Sequence, residues 1–408
     1  MTSFLSSAPV LVETPRTSWH VPAMLALALG GFGIGTTEFV TMGLLPDIAA
    51  DFGISEPTAG HAVSAYALGV VVGAPLIAAL CARVPRKKLL IALMAAFTVG
   101  NAATVLAPTF GTLVAARFVS GLPHGAYFGV ASLAAATLAP VGQRAKAVAA
   151  VMLGLSVANV IGVPGATWLG QHLGWRDAYV VVAVIGVATV AALWRFVPSL
   201  TGMKVTNPMT ELGALRRPQV LLTLAVGAIG FGGMFAVYTY IATTMTDVAG
   251  MPIGAVPIVL ALFGLGMIAG NILGGIMADR GVDRSIFFAM IAMVVILAGF
   301  VLAAHNPITA GIGAFLVGAS GAALAPGLQT RLMDVAADAQ TLAAALNHAA
   351  LNIANAAGAW LGGLVIAAGL GYTAPALVGA LLAVLGVLLF TVTVWAARRS
   401  TTGTPSAS

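Results

Sequence analysis

Twelve stretches of roughly twenty or more mostly apolar residues run through this chain, and almost no Lys, Arg, Asp or Glu interrupts them. Twenty such residues are about what one helix needs to cross the ~30 Å hydrocarbon core of a bilayer. Inside hydrocarbon every backbone N–H and C=O needs an internal partner, which leaves only helices and closed barrels. Barrel strands alternate in hydropathy over about ten residues. These runs are continuous, so they predict helices. The approximate spans are 21–45, 60–80, 89–107, 110–138, 146–170 and 176–197, then 219–244, 253–278, 286–304, 308–330, 341–368 and 373–395.

Composition supports the same class. The 408 residues are 60% hydrophobic and 7% charged, where a soluble domain runs near 25% charged. That excludes a soluble enzyme, a nucleic-acid binder and a secreted disulfide scaffold. The single cysteine, Cys81, excludes an internal disulfide and a thiolate metal cage. The first twenty residues lack a basic segment followed by a short apolar run and a small-residue cleavage site, so no cleaved signal peptide is expected.

The net charge of +6 has a topological cause. With the N-terminus inside, 16 of the 18 lysines and arginines fall on the cytoplasmic side, leaving only Arg176 outside and Arg117 within a span. This is the positive-inside pattern, and it predicts two cytoplasmic termini. The polar stretch near 198–218 then divides the chain into a tail (1–20), a six-helix bundle (21–197), a central loop (198–218), a second bundle (219–395) and a tail (396–408).

The two halves repeat. LSVANVIG (155–162) matches LNIANAAG (351–358) at an offset of 196, and FVSG (118–121) matches FLVG (315–318) at an offset of 197. ARVPRKK (82–88) and ADRGVDR (278–284) occupy equivalent loops. Both halves begin on the same side, as in transporters built from two parallel repeats.

GGIMADRGVDR (274–284) resembles the loop signature of the major facilitator superfamily, and RFVSGLPHG (117–125) resembles that superfamily's span-four signature. GLSVANVIGVPGATWLG (154–170) is similar to its antiporter signature of span five. GTTEFVTMGLLPDIAADFGIS (35–55) resembles span one of bacterial drug:proton antiporters of the arabinose-efflux and chloramphenicol-resistance type. The resemblance implies an all-α membrane protein of twelve helices in two pseudo-symmetric bundles, working by alternating access. It also implies conformational roles for Arg83, Arg86, Gly154, Gly162, Pro164, Gly275, Asp279 and Arg280. The first-half loop departs from the pattern, with Ala82 in place of aspartate and Pro85 in place of glycine.

No P-loop, metal-ligand spacing or nucleophile–base set is evident, so the chain is not expected to be an enzyme and needs no cofactor or metal. Eleven of its twelve acids lie in loops or at span ends; Glu38 alone is well inside a span. A charge there costs at least about 2.5–3.5 kcal/mol, and such residues are functional by default. Glu38 lies eight residues before Pro46 and Arg117 seven after Phe110. At 1.5 Å per residue both sit roughly 10–12 Å from the outer surface. Glu38 is read as the proton-binding group with Arg117 tuning it; the alternative is a static structural pair.

His124, in the middle of span four, reads equally as a proton relay or a packed histidine. His348, Asn352 and Asn355 share one face of span eleven and suit either substrate hydrogen bonding or interhelical contacts. Tyr238, Tyr240 and Phe235 suit an amphipathic substrate wall or plain packing. The glycine rows Gly69/Gly73 and Gly266/Gly270/Gly274 are expected where helices approach closely and slide.

Together these expectations describe a proton-coupled exporter of a small amphipathic, drug-like compound. It is expected in the bacterial inner membrane, as a monomer whose partners are the substrate, the proton and the lipid bilayer. Efflux of a sugar, nucleoside or other metabolite, uptake symport, and a non-transporting sensor or scaffold remain open alternatives.

Overall fold

The computed structural model describes residues 20–81, 83–140, 143–200, 216–336 and 340–402. Ala82 and most of the central loop therefore lie outside the described residues. Helices account for nearly all of the rest, with no strand among the described residues. The long elements are α1 (Val21–Gly43), α2 (His61–Leu80), α3 (Arg86–Val105), α4 (Phe110–Leu138), α5, α6 (Trp175–Phe196), α7, α8 (Val256–Arg280), α9 (Val282–Ala303), α10 (Pro307–Ala336), α11 (Gln340–Ala367) and α12 (Ala374–Thr402). Two of them are compound. α5 joins Arg144–Val157 to Val163–Leu173 through a π turn, Ala158–Gly162, and α7 runs from Pro218 in short pieces to the π turn Thr244–Val248.

Eleven of these helices are long and apolar enough to cross a membrane. The exception is α4, whose 29 residues would span a bilayer with length to spare. It carries Arg117, His124 and Tyr127, and these depress its hydropathy. α4 thus falls short on composition, not on length. Outward-facing apolar residues such as Leu302, Ile308 and Leu381 stay exposed, as expected of a lipid-facing surface.

The end bearing Asp51 and Arg176 is termed outer here, following the charge pattern. Loop chemistry fixes the entry of the helices there. Ser55 caps the one-turn helix Glu56–Ala59, and Thr109 with Thr112 forms a capping box at the start of α4. Arg176 bonds Asp51 at 2.5 Å and the Ala107 carbonyl at 3.2 Å, while Trp175 Nε1 donates to the same Asp51 oxygen. Arg176 therefore ties α6 to the loops after α1 and α3. At the opposite end Arg331 of α10 pairs with Asp283 of α9 and also reaches Gln219 of α7.

The repeat is visible contact by contact. A Cβ on Gly69, Gly73 or Gly121 would strike the backbone of Phe118, Leu122 or Tyr66. A Cβ on Gly266, Gly270 or Gly318 would strike Phe315, Ala319 or Phe263. Every residue of the second set lies 197 positions after its counterpart. These rows join α2 to α4 and α8 to α10 inside each half. They are therefore rigid seams within the bundles, not the sliding surfaces between them, because backbone contact this close leaves no clearance for a shift.

Between the halves, α2 packs on α11 and α8 packs on α5. Exchanging the halves turns one pair into the other, so the interface is pseudo-twofold. Gly264 of α8 sits against the Asn159 carbonyl in the π turn of α5.

Candidate functional site

Midway along α1, three consecutive residues carry the polar centre. Thr36 bonds back to Phe32. Thr37 turns toward α3 and α4, and Glu38 toward α11. Thr37 Oγ1 donates to Asn101 Oδ1 of α3 at 2.5 Å, and Asn101 Nδ2 is held by the Phe97 carbonyl. Arg117 of α4, wholly buried, gives one terminal nitrogen to Thr37 Oγ1 and the other to the Thr37 carbonyl, each at 2.9 Å. Its guanidinium carbon lies 4.4 Å from the Tyr66 ring centroid and 5.3 Å from that of Tyr179. Two aromatic faces thus flank a desolvated cation, while Arg117 Nε has no hydrogen-bond partner among the described residues. Tyr179 is itself fixed by Thr41 at 2.6 Å.

Glu38 is buried beside this cluster and forms no ion pair with Arg117 among the described residues. Arg117 is near enough to act on it through space, and the Asn355 amide of α11 lies beside its carboxyl. Neither polar atom of Asn355 makes a hydrogen bond of ordinary geometry. Glu38 is therefore held at the junction of the two halves, with Arg117 one residue away on its own half and Asn355 facing it from the other.

Aromatic rings complete the junction. Phe39 of α1 stacks on Phe235 of α7 at 6.4 Å and meets Tyr238 edge-on at 5.6 Å, and Tyr238 stacks on Phe263 of α8 at 3.9 Å. The Tyr238 hydroxyl is buried without a hydrogen-bond partner among the described residues. Tyr240 does not join this wall. Two residues on, it turns to the outer seam, donates to the Ala359 carbonyl at 2.9 Å and packs against Gly60 and Gly363.

Toward the inner end, Tyr66 continues the chain of contacts. Its hydroxyl lies 3.0 Å from His124 Nδ1, and His124 neighbours Phe128, which stacks on His348 of α11 at 5.5 Å. Asn352 bonds back to the His348 carbonyl and leaves its own oxygen unpartnered. Tyr66 thus touches both Arg117 and His124, and sequence reasoning missed it, along with Thr37, Asn101 and Tyr179. Their only signal was that a polar atom in the middle of an apolar span needs a partner.

Of the remaining candidates, those of α5 pack beside α1 and the loop residues lie away from this centre. Gly154 and Gly162 lie against α1, at Ala28, Phe32 and Thr36, and Pro164 is buried just after the π turn. Arg83, Asp279 and Arg280 are exposed, Arg86 is half-buried, and Gly275 has open space around its Cα. Asp279 makes no ion pair among the described residues; Asp283, four residues on, makes the pair with Arg331 instead.

The fold and the sequence agree on kinship. The sequence profile described as Major Facilitator Superfamily matches residues 27–337 and 244–407. The chain is 43% identical to the inner membrane transport protein YdhP of Escherichia coli strain K12 over 366 residues, covering 90% of this chain and 94% of the relative. It is 36% identical to a chloramphenicol resistance protein of Streptomyces lividans, covering 85% and 88% of the two chains. The crystal structure of a D-xylose–proton symporter superposes with a TM-score of 0.74 at 16% identity, over 91% of this chain and 97% of that one. That likeness concerns the fold. A multi-pass helical membrane protein with two repeated bundles, matched along nearly its whole length by such relatives, this chain belongs to the Major Facilitator Superfamily.

Proposed function

We propose that the chain is a proton-coupled exporter of small amphipathic compounds, working by alternating access across the inner membrane with both termini cytoplasmic. The observation that carries this reading is the placement of Glu38 where the halves meet, the one carboxyl wholly buried among the described residues. Arg117 is parked on the adjacent Thr37 rather than on the acid itself.

In this cycle a protonated Glu38 leaves Arg117 on Thr37. Loss of the proton creates a buried carboxylate that is costly unless paired, and the nearest cation is Arg117. The guanidinium then exchanges Thr37 for Glu38, the next residue along α1. Asn355 and Asn352 of α11, with the Phe39, Phe235 and Tyr238 rings, form the substrate wall. Their unpartnered polar atoms favour a ligand with hydrogen-bonding groups beside an apolar ring. His124 and His348 lie on the inner side of the same path. The chloramphenicol resistance relative supports a drug-like substrate.

Reconstituted vesicles test this. An imposed proton gradient should drive substrate movement in the wild type, with matching proton counterflow. Substrate movement without proton movement would refute the coupling.

A further inference from the structure

Among the described residues, three side-chain hydrogen bonds cross between the halves. Ser64 donates to the Ala356 carbonyl at 3.1 Å, Gln171 to the Ile253 carbonyl at 3.4 Å, and Thr243 of α7 to the carboxylate of Glu56. All three lie toward the outer end. Only the third involves an ionisable group. Glu56 lies on the one-turn helix that Ser55 caps, just before α2, and it is half-buried.

The Tyr372 hydroxyl, from the turn between α11 and α12, also lies beside the Glu56 carboxylate. Burial, with Glu56 and Asp247 nearby, pushes Tyr372 up to about 12, so it remains a phenol and a donor. Asp247 at the end of α7 faces Glu56 as a like charge, and Tyr240 is within its field. One N-half carboxylate thus gathers a threonine and a tyrosine hydroxyl from two separate elements of the C half. Glu56 and Tyr372 also line a cavity of about 600 Å³ at the seam, with Pro46, Ala49, Pro57 and Ile366. The cavity gives protons from the outer side a path to the carboxylate.

We propose that Glu56 is a second proton-responsive residue, the latch of the outer gate, which protons from the outer side release. As a carboxylate it accepts from hydroxyls on the opposite half. Once protonated it is a much weaker acceptor, and charge-assisted bonds are roughly twice as strong as neutral ones. The gate then opens where protons are abundant, and the outward-open state exposes Glu38 to the same protons. The inference rests on the proton-coupled reading above, but the gate itself is observable without substrate.

The test places spin labels at Leu106→Cys and Ile308→Cys, exposed outer positions on opposite halves, in a Cys81→Ser background, in nanodiscs without substrate. Distance distributions are recorded at about pH 7.5 and about pH 5, either side of a perturbed carboxyl. The wild type should gain a longer-distance population on acidification, by about tenfold in the open-to-closed ratio, equivalent to ~1.4 kcal/mol. Glu56→Gln should show that population at both pH values, and Thr243→Val should raise it at the higher pH. Glu38→Gln should keep the response. A pH-independent wild type, a Glu56→Gln variant that behaves as wild type, or a response abolished by Glu38→Gln alone would each overturn the proposal. If Glu56→Gln loses the response while vesicles show no proton-coupled transport, the latch stands and the transport reading falls.

Discussion

Arg117 gives both terminal guanidinium nitrogens to Thr37 and neither to Glu38, the next residue along α1. The arrangement separates the buried acid from the buried base without moving them apart. Thr37 can hold the arginine because its hydroxyl proton is already committed to Asn101, leaving its lone pairs for the cation. Asn101 is therefore the residue that orients the acceptor.

Removing that orientation should be measurable. Thr37→Val leaves a buried guanidinium short of one acceptor, which typically costs about 1–3 kcal/mol. We predict a lower unfolding temperature in detergent for Thr37→Val, and a smaller loss for Asn101→Leu. In both variants Arg117 has less reason to stay on α1, so the pH midpoint of transport should move. An unchanged midpoint in both would contradict the parking role of Thr37.

Asn355 should behave in the opposite sense. Its amide is buried with neither polar atom bonded in ordinary geometry, so Asn355→Leu removes little that holds the fold together. Replacing unsatisfied buried polar groups by apolar ones of similar shape is often neutral or stabilising. Thermal stability should be retained within about 1 kcal/mol, while transport falls sharply. Matched losses of stability and transport would identify Asn355 as a structural contact only.

The glycine seams give a paired prediction. Gly266→Ala places a methyl against the Phe315 backbone and Gly69→Ala one against the Phe118 backbone. Neither neighbour can yield without displacing a helix, and overpacking of this kind typically costs about 1–3 kcal/mol. Gly129→Ala, where nothing lies within 4 Å, serves as the control and should be silent. Because the two seams are repeat equivalents, both variants should lower expression and melting temperature to a similar degree.

At the outer surface, hydrogen bonding from Arg176 holds the Asp51 carboxyl below its ordinary range. A depressed carboxyl stabilises the fold above its unfolded pKa near 4 and ceases to do so as pH falls through the lower folded value. Both side chains are more than a third exposed, so solvent screening limits the gain to about 0.2–1 kcal/mol. The melting temperature of Asp51→Asn should sit slightly below wild type at neutral pH, and the gap should close under strong acid. A gap that widened on acidification would contradict this sign.

The span boundaries were legible because a bilayer imposes one length on every helix. Predicted starts such as 21, 110 and 176 fall within one residue of the observed ones. That Glu38 and Arg117 lie at one level of the bundle was legible for a related reason, since a charge stands out against an apolar background. Their geometry was not. Equal depth predicts proximity, but it cannot reveal that Thr37 captures the arginine, because a polar atom in an apolar span shows that a partner is needed without showing which one. Tyr238 and Tyr240 looked like one wall on sequence. The bends at Phe231 and Tyr240 break α7 into short pieces, and the second tyrosine turns to the outer seam. The glycine rows were found by spacing, but only the backbone partners place them within each half.

The most direct measurement of the central claim is proton-driven flux through purified protein in vesicles, comparing wild type with Glu38→Gln. The glutamine cannot release a proton, yet it preserves size and hydrogen bonding. The variant should lose gradient-driven accumulation, retain exchange of substrate down its own gradient, and show no pH dependence in that exchange. If Glu38→Gln instead concentrates substrate against its gradient as the wild type does, Glu38 is not the coupling residue and this account of the protein is wrong.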